Sequence, residues 1–242
     1  MLPSVFIVGL VKSGSTLLNR IMRPITMDAG LTYRSPAGEL FQRGLSLRKS
    51  TVDFAPFGYA YGGFRDLPWP LPDYAAGRTV VLVRDPRDAL TSFYFSMAYS
   101  HVPPGTADSP DLLRAFEARR DRALAGTIDD FVLREALGHA RAMRRILVNT
   151  PRPRLYRYEE IIFDKQAWVS DMVEYLALST PPRLISAVVA RNDVLPAEDA
   201  PLEHIRHVTP GDHREKLRPE TIAALDARFA GLMKKMGYKV AT

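Results

Sequence analysis

Val5-Phe6-Ile7-Val8-Gly9-Leu10-Val11-Lys12-Ser13-Gly14-Ser15-Thr16-Leu17 is the stretch whose reading decides the fold. Val5 to Val8 is a short apolar run of strand-forming residues. A glycine-containing turn follows, and then Thr16, Leu17, Ile21 and Met22 recur at helical spacing. The pattern reads as strand, loop, helix. In such a loop, successive backbone N–H groups and the positive end of the helix dipole together cradle a phosphate-like anion. Working outward, Thr79 to Val83 is a second apolar run without alternation, as in strands buried on both faces of a parallel sheet. Asp85-Pro86 then predicts a helix N-cap with proline at the first helical position, opening a helix through about Tyr99. A third strand is predicted over Arg154 to Tyr158. Helices are predicted over 111–123, 128–148, 166–177, 181–191 and 219–236, the last ended by Gly237. Strands alternating with helices predict an α/β, P-loop-like three-layer fold: a central parallel β-sheet flanked by helices.

Composition narrows the chemistry. At 242 residues, 46% hydrophobic and 25% charged, the chain fits an ordinary folded protein, expected here as a single domain over 1–242. There is no cysteine, so thiol nucleophiles, thiolate metal sites and disulfides are excluded and catalysis falls to oxygen and nitrogen groups. The apolar start lacks a basic region and a cleavage site, and no run reaches the roughly 18 apolar residues of a membrane span. A cytoplasmic protein is expected. The net charge of +6 favours a polyanionic ligand. The basic residues are dispersed, without the aromatic-interleaved runs of an RNA-binding surface, so nucleic acid is not expected as the primary partner.

Gly9 to Thr16 has the spacing of a phosphate-binding loop, but Ser15 stands where a Walker A loop carries its lysine, and the lysine sits earlier, at Lys12. A nucleoside-triphosphatase would lack its main contact with the terminal phosphates. Lys12-Ser13-Gly14-Ser15-Thr16-Leu17 instead resembles the 5′-phosphosulfate loop, [KR]-S-G-[ST]-T, of the sulfotransferases that use 3′-phosphoadenosine 5′-phosphosulfate (PAPS). Arg84-Asp85-Pro86-Arg87-Asp88, followed by Ser92, is similar to that family's 3′-phosphate motif. Arg157-Tyr158-Glu159-Glu160 resembles its R-Y-E-[DE] strand end. Residues 206–213, Arg-His-Val-Thr-Pro-Gly-Asp-His, resemble the late R-K-G-x-x-G-[DE]-W loop. His207 and Val208 depart from that last pattern, and Leu17 replaces a tryptophan that stacks on adenine in cytosolic members.

The resemblance, to the PAPS-dependent sulfotransferases with a bacterial-type domain, spans residues 5 to 238 and implies a metal-independent enzyme. It would transfer a sulfuryl group from PAPS to a hydroxyl or amine by in-line displacement and release adenosine 3′,5′-bisphosphate (PAP). It implies Lys12 on the oxygen bridging phosphate and sulfate, with Ser13, Gly14, Ser15, Thr16 and Leu17 around the 5′ side. Arg84 and Ser92 would take the 3′-phosphate, Tyr158 would lie near the adenine, and Arg206 and His207 would stand on the closing loop. Three groups are candidate proton acceptors for the attacking nucleophile: Glu39, which follows the first helix, then Asp66 in Arg65-Asp66-Leu67-Pro68, then His101. Two readings stand beside this one: a P-loop nucleotide kinase or NTPase, and a nucleotide-binding module without catalysis. The acceptor is expected to be a small molecule or a glycan. The Pro/Gly/aromatic segment 51–76 is compatible with stacking on such an acceptor and equally with aromatics buried against the sheet.

Overall fold

In the computed structural model the described residues are 1–43, 45, 47–103, 110–194 and 208–238. They divide into two compact units. The first comprises Met1–Phe41, Leu45–Arg84 and Ala142–Val194. Its centre is a five-stranded parallel sheet of order β2-β3-β1-β4-β5, with β1 Val5–Gly9, β2 Thr32–Arg34, β3 Tyr59–Phe64, β4 Thr79–Val83 and β5 Arg154–Arg157. Every residue of β1 and β4 is buried, as their unbroken apolar runs require for strands covered on both faces.

Helix α1 (Ser15–Asp28) returns from β1 and packs on β1, β2 and β3. The short α2 (Pro36–Gln42) follows β2. The second unit then takes the chain through α3 (Pro86–Phe95), continued by a π-helical turn at Ser96–Ser100, α4 (Pro110–Ala125) and the first part of α5 (Ile128–Asn149). Back in the sheet unit, β5 leads into the short α6 (Tyr158–Ile161), α7 (Lys165–Tyr175) and α8 (Pro182–Asn192). Helix α8 lies against both α1 and α7. The second unit closes with α9 (His213–Lys216) and α10 (Pro219–Lys235).

The three strands and the long helices predicted from sequence are therefore present, with ends moved by a residue or two, as is usual at frayed termini. Two strands were not foreseen. β2 is only three residues long, and β3 carries Gly62-Gly63, which interrupt any alternation. Both glycines are closely approached: a Cβ at Gly62 would lie 2.1 Å from the Tyr33 hydroxyl, and one at Gly63 2.2 Å from the Ser35 hydroxyl. Gly62 leaves no room for a side chain beside the Tyr33 ring, and Gly63 at φ 78° is favoured as glycine by its backbone, so the polar groups of Tyr33 and Ser35 can lie directly on the end of β3.

The aromatic segment 51–76 feeds part of the core. Phe6 of β1 stacks on Tyr61 at 5.3 Å, and Phe54 meets Phe6, Tyr61 and Trp69 edge-on at 5.2, 4.8 and 5.6 Å. The polar atoms of these rings are spent locally. Tyr74 donates to the Phe54 carbonyl (2.6 Å), Trp69 donates to that of Ser50 (3.1 Å), and the Ala55 N–H donates to the Tyr61 hydroxyl (2.8 Å). Burial against the sheet is realised for Tyr61 and Phe64, whereas Phe54, Tyr59, Trp69 and Tyr74 are half-buried and Phe57 is exposed.

In the second unit, Phe131 of α5 receives Phe93 and Tyr94 of α3 edge-on, at 5.5 and 5.6 Å. The start of α3 is clamped by charge. Asp85 caps it by accepting from the Arg87 N–H at 2.9 Å, and the Arg87 guanidinium bridges Asp85 at 2.6 Å and Asp226 of α10 at 2.7 Å.

Candidate active site

The loop from β1 to α1 is held by its own serine. Ser13 is fully buried, and its hydroxyl lies 2.7 Å from the Leu10 carbonyl and 2.9 Å from that of Leu82 on β4. Its side chain therefore shapes the loop and has no proton left for a ligand. Lys12 (φ 63°) and Gly14 (φ 89°) both take the left-handed conformation. That conformation is rare for a lysine and costs on the order of 1 kcal/mol or more. Gly14 is the N-cap, with no side chain to cap the helix, and the first turn of α1 carries no acidic residue. The first-turn N–H groups of an α-helix have no intrahelical acceptor, so Ser15, Thr16 and Leu17 open the helix as a donor set of positive potential. Ser15 is buried, while Lys12, Thr16 and Leu17 are half-buried.

Asn19 fixes this helix start relative to the neighbouring strands. Its amide nitrogen donates to the Ser15 carbonyl at 2.7 Å, and its oxygen accepts from the Tyr33 hydroxyl at 2.8 Å and the Gly63 N–H at 2.9 Å. Burial pushes the Tyr33 hydroxyl up to about 12, so it stays a donor in neutral solution.

One strand over, β4 ends at Arg84. Its guanidinium is buried, 5% exposed, at the carboxyl edge of the sheet, where open α/β sheets bind their ligands. It lies over the Tyr158 ring, 4.5 Å from the centroid, and its Nη1 reaches only a long contact, 3.5 Å, with the Lys12 carbonyl. Its Nε has no hydrogen-bond partner. A buried donor of this kind costs on the order of 1–3 kcal/mol unless something accepts its proton. An anion at the strand edge would do so. The residues of this unit therefore fit a phosphorylated ligand on an observation of their own: a donor loop on β1 and an under-satisfied cation on β4.

The candidate bases occupy different settings. Glu39 of α2 is paired with Arg34 through both carboxylate oxygens, one of which also accepts from the Ser35 N–H at 3.2 Å. Hydrogen bonding to Arg34 holds its carboxyl below the ordinary carboxylate range. It remains 41% exposed. Ser35, whose hydroxyl rests on Gly63, brings this group to the end of β3. Asp66 is gripped from two sides: Arg145 of α5 donates twice, at 2.7 Å each, and Arg48 twice, at 2.9 and 3.3 Å. Four charge-assisted bonds make Asp66 a tether between the β3 exit and α5. His101 lies in the second unit, exposed, with its ring stacked on Phe116 at 5.6 Å.

Ser92 is half-buried on α3 of the second unit. Arg206 and His207 lie outside the described residues. The start of the late loop is described from Val208, and there sequence reasoning missed a residue. Asp88, 1% exposed, accepts from the Gly211 N–H at 2.7 Å, the His213 N–H at 3.0 Å and the His213 ring nitrogen Nδ1 at 2.6 Å. The last residue of Arg84-Asp85-Pro86-Arg87-Asp88 thus anchors Gly211-Asp212-His213. A second acidic residue inside a helix-capping motif, with no basic neighbour one turn on, was the available signal.

Among the described residues no cluster of three His, Asp or Glu side chains could hold a metal ion, and no helix is long and apolar enough to cross a membrane.

No protein-family model matches the chain, and no curated protein matches it by sequence. By structure it is similar to a mouse sulfotransferase, SULT7A1, crystallised with PAP. The two share 17% identity over 96% of this chain and 85% of the other, with a TM-score of 0.53. Two crystal structures of retinol dehydratase also align, each at 14% identity: one with androsterone and inactive cofactor PAP (98% of this chain, 82% of that one, TM-score 0.44) and one with retinol and PAP (100% and 84%, TM-score 0.46). The likeness to the mouse enzyme shows that the chain has the sulfotransferase fold, with its parallel sheet flanked by helices.

Proposed function

We propose that this chain is a sulfotransferase that takes its sulfuryl group from PAPS and passes it to a hydroxyl or amine, releasing PAP. One observation carries the reading most: Arg84, a buried guanidinium with an unanswered Nε, stands one strand from an anion-binding loop that has its lysine at Lys12 and not at the Walker A position. A ligand with a phosphate at each end of an adenosine suits such a pair. A nucleoside triphosphate would leave Arg84 unanswered.

When bound, PAPS supplies a sulfuryl group on a phosphate leaving group. Reaction breaks the bond from sulfur to the bridging oxygen, forms one from sulfur to the acceptor, and releases the acceptor proton. The protein's task is to position and neutralise. In this reading the first-turn N–H groups of α1 with Ser15 and Thr16 bind the 5′-phosphate, and Lys12 stabilises charge on the leaving oxygen. Arg84 binds the 3′-phosphate, and Ser92, Arg206 and His207 are assigned to the same end by resemblance. Glu39 accepts the acceptor's proton. The choice of Glu39 over Asp66 is supported by their settings, since Glu39 is exposed and held by one arginine whereas Asp66 is bound by two. The reading carries with it a cytoplasmic enzyme acting as one domain, without a metal, on a small-molecule or glycan acceptor.

Calorimetry with PAP and ATP tests it. PAP should bind far more tightly than ATP. Arg84→Ala should weaken PAP at least about tenfold, because a hydrogen bond to a charged group contributes roughly 1.5–3 kcal/mol. Equal affinities for ATP and PAP would overturn the assignment.

A further inference from the structure

The strand register places two side chains where the resemblance alone would not. β4 and β5 pair Val83 with Arg157, so the next residue on each strand, Arg84 and Tyr158, leave the sheet side by side. The guanidinium carbon of Arg84 lies 4.5 Å from the Tyr158 ring centroid. The Cδ2–Cε2 edge of the same ring abuts Gly14, where an added Cβ would come within 3.1 and 3.3 Å of those atoms. Both partners are 5% exposed. The ring is therefore wedged between the anion loop and Arg84.

Resting on the sulfotransferase reading above, we propose that Tyr158 is a positioning residue for Arg84, making the site selective for nucleotides that carry a 3′-phosphate. A guanidinium is planar, and all of its N–H bonds lie in that plane. Packing one face on an aromatic ring fixes the plane while leaving the N–H edge open for an acceptor. The ring's negative face also offsets part of the cost of burying a cation. Among the described residues its other contacts hold it less firmly, since the one with the Lys12 carbonyl is long at 3.5 Å and the Nε has no partner. Through its contact with Gly14, the same ring ties the orientation of Arg84 to the loop that takes the 5′ end. An adenine-contacting tyrosine would be used by every adenosine nucleotide alike. A tyrosine that orients Arg84 matters only where there is a 3′-phosphate to meet.

The experiment is calorimetric titration of PAP and of adenosine 5′-monophosphate, which lacks the 3′-phosphate, into the wild type, Tyr158→Phe, Tyr158→Leu, Arg84→Ala and the double variant Tyr158→Leu/Arg84→Ala. The quantity read is the ratio of the two affinities. Tyr158→Leu should lower the preference for PAP about tenfold, toward the value of Arg84→Ala, with affinity for the monophosphate little changed. Tyr158→Phe, which keeps the ring, should hold the preference within about threefold, and the double variant should fall no further than Arg84→Ala alone. If Tyr158→Leu weakens both nucleotides by the same factor, the ring contacts adenine and the proposal is overturned. An unchanged preference overturns it too. If Arg84→Ala itself leaves the preference intact, the fault lies in the 3′-phosphate assignment and the sulfotransferase reading falls first. Should Tyr158→Leu fail to fold, Tyr158→Met, a flexible apolar side chain without an aromatic face, reads the same ratio.

Discussion

The two sides of the sheet handle charge in opposite ways. On the β1 and β4 side Arg84 is buried with an unanswered Nε, and the α1 N-terminus has no side-chain cap and no acidic residue in its first turn. On the β2 and β3 side each candidate carboxylate is already matched, Glu39 by Arg34 and Asp66 by Arg48 and Arg145. An under-satisfied site stores its binding energy for a ligand, and a satisfied one spends it on the fold. In the proposed function the β1 and β4 side is the donor half and would be preorganised, whereas a carboxylate on the β2 and β3 side, the acceptor half, would act as a base only by loosening an ion pair.

The largest expected effect follows from the donor half. Lys12→Ala should lower turnover about 10²–10³-fold, in line with loss of one donor that stabilises charge chiefly in the transition state. PAPS hydrolysis or reverse transfer from an aryl sulfate to PAP would serve as the assay. A variant altered only in apparent donor affinity would show that Lys12 binds ground and transition states alike, and the contrast between the halves would lose its catalytic meaning.

The acceptor half is sharpened by treating its two carboxylates alike. Glu39→Gln should cost about 10²-fold in turnover, the low end for loss of a general base, with PAP affinity nearly unchanged. Asp66→Asn should leave turnover of folded protein within about threefold and instead lower stability by about 2–3 kcal/mol, seen as a drop in Tm, because two arginines lose a shared partner. Reversed outcomes would move the base to Asp66. pH supplies a further check with a definite sign. As the proposed base Glu39 would work only when deprotonated, and its pKa is lowered mainly by the hydrogen bond from Arg34. Activity should therefore persist in acid to below the ordinary carboxylate range. Arg34→Ala should move the acidic limb of the rate profile to higher pH, and an unmoved limb would remove Glu39 from the role.

Much of this was legible in the sequence for a local reason. Val5 to Val8, Thr79 to Val83 and Asp85-Pro86 declare themselves through a handful of adjacent residues, and the anion loop lies between two such elements. β3 was not legible because Gly62-Gly63 erase the alternation, and Gly62 is a glycine on account of Tyr33, nearly thirty positions earlier in the chain. The aromatic segment was open in sequence to stacking on an acceptor and to burial alike, and it took the structure to show Phe54 and Tyr61 packed on Phe6 with Phe57 left exposed. Tyr158 under Arg84, and Asp88 beneath Gly211 and His213, are contacts between residues 74 and more than 120 positions apart. Such contacts come from strand register and loop return, and a motif reports only that the residues are present.

The smallest expected effect tests whether the donor half also stores strain. Lys12 sits at φ 63°, a conformation that glycine adopts at no steric cost and other residues adopt at about 1–2 kcal/mol. Lys12→Gly and Lys12→Ala both delete the ammonium, so both should lose turnover to a similar degree. They should differ in stability. Alanine keeps a Cβ and with it the left-handed penalty, whereas glycine relieves it and gives back part of the gain as extra entropy in the unfolded chain. Urea unfolding should therefore find Lys12→Gly more stable than Lys12→Ala by about 0.5–1 kcal/mol. Equal stabilities would mean that the loop relaxes around any residue at this position, and that preorganisation of the donor half resides in Ser13 and the Arg84–Tyr158 pair and not in the backbone of Lys12.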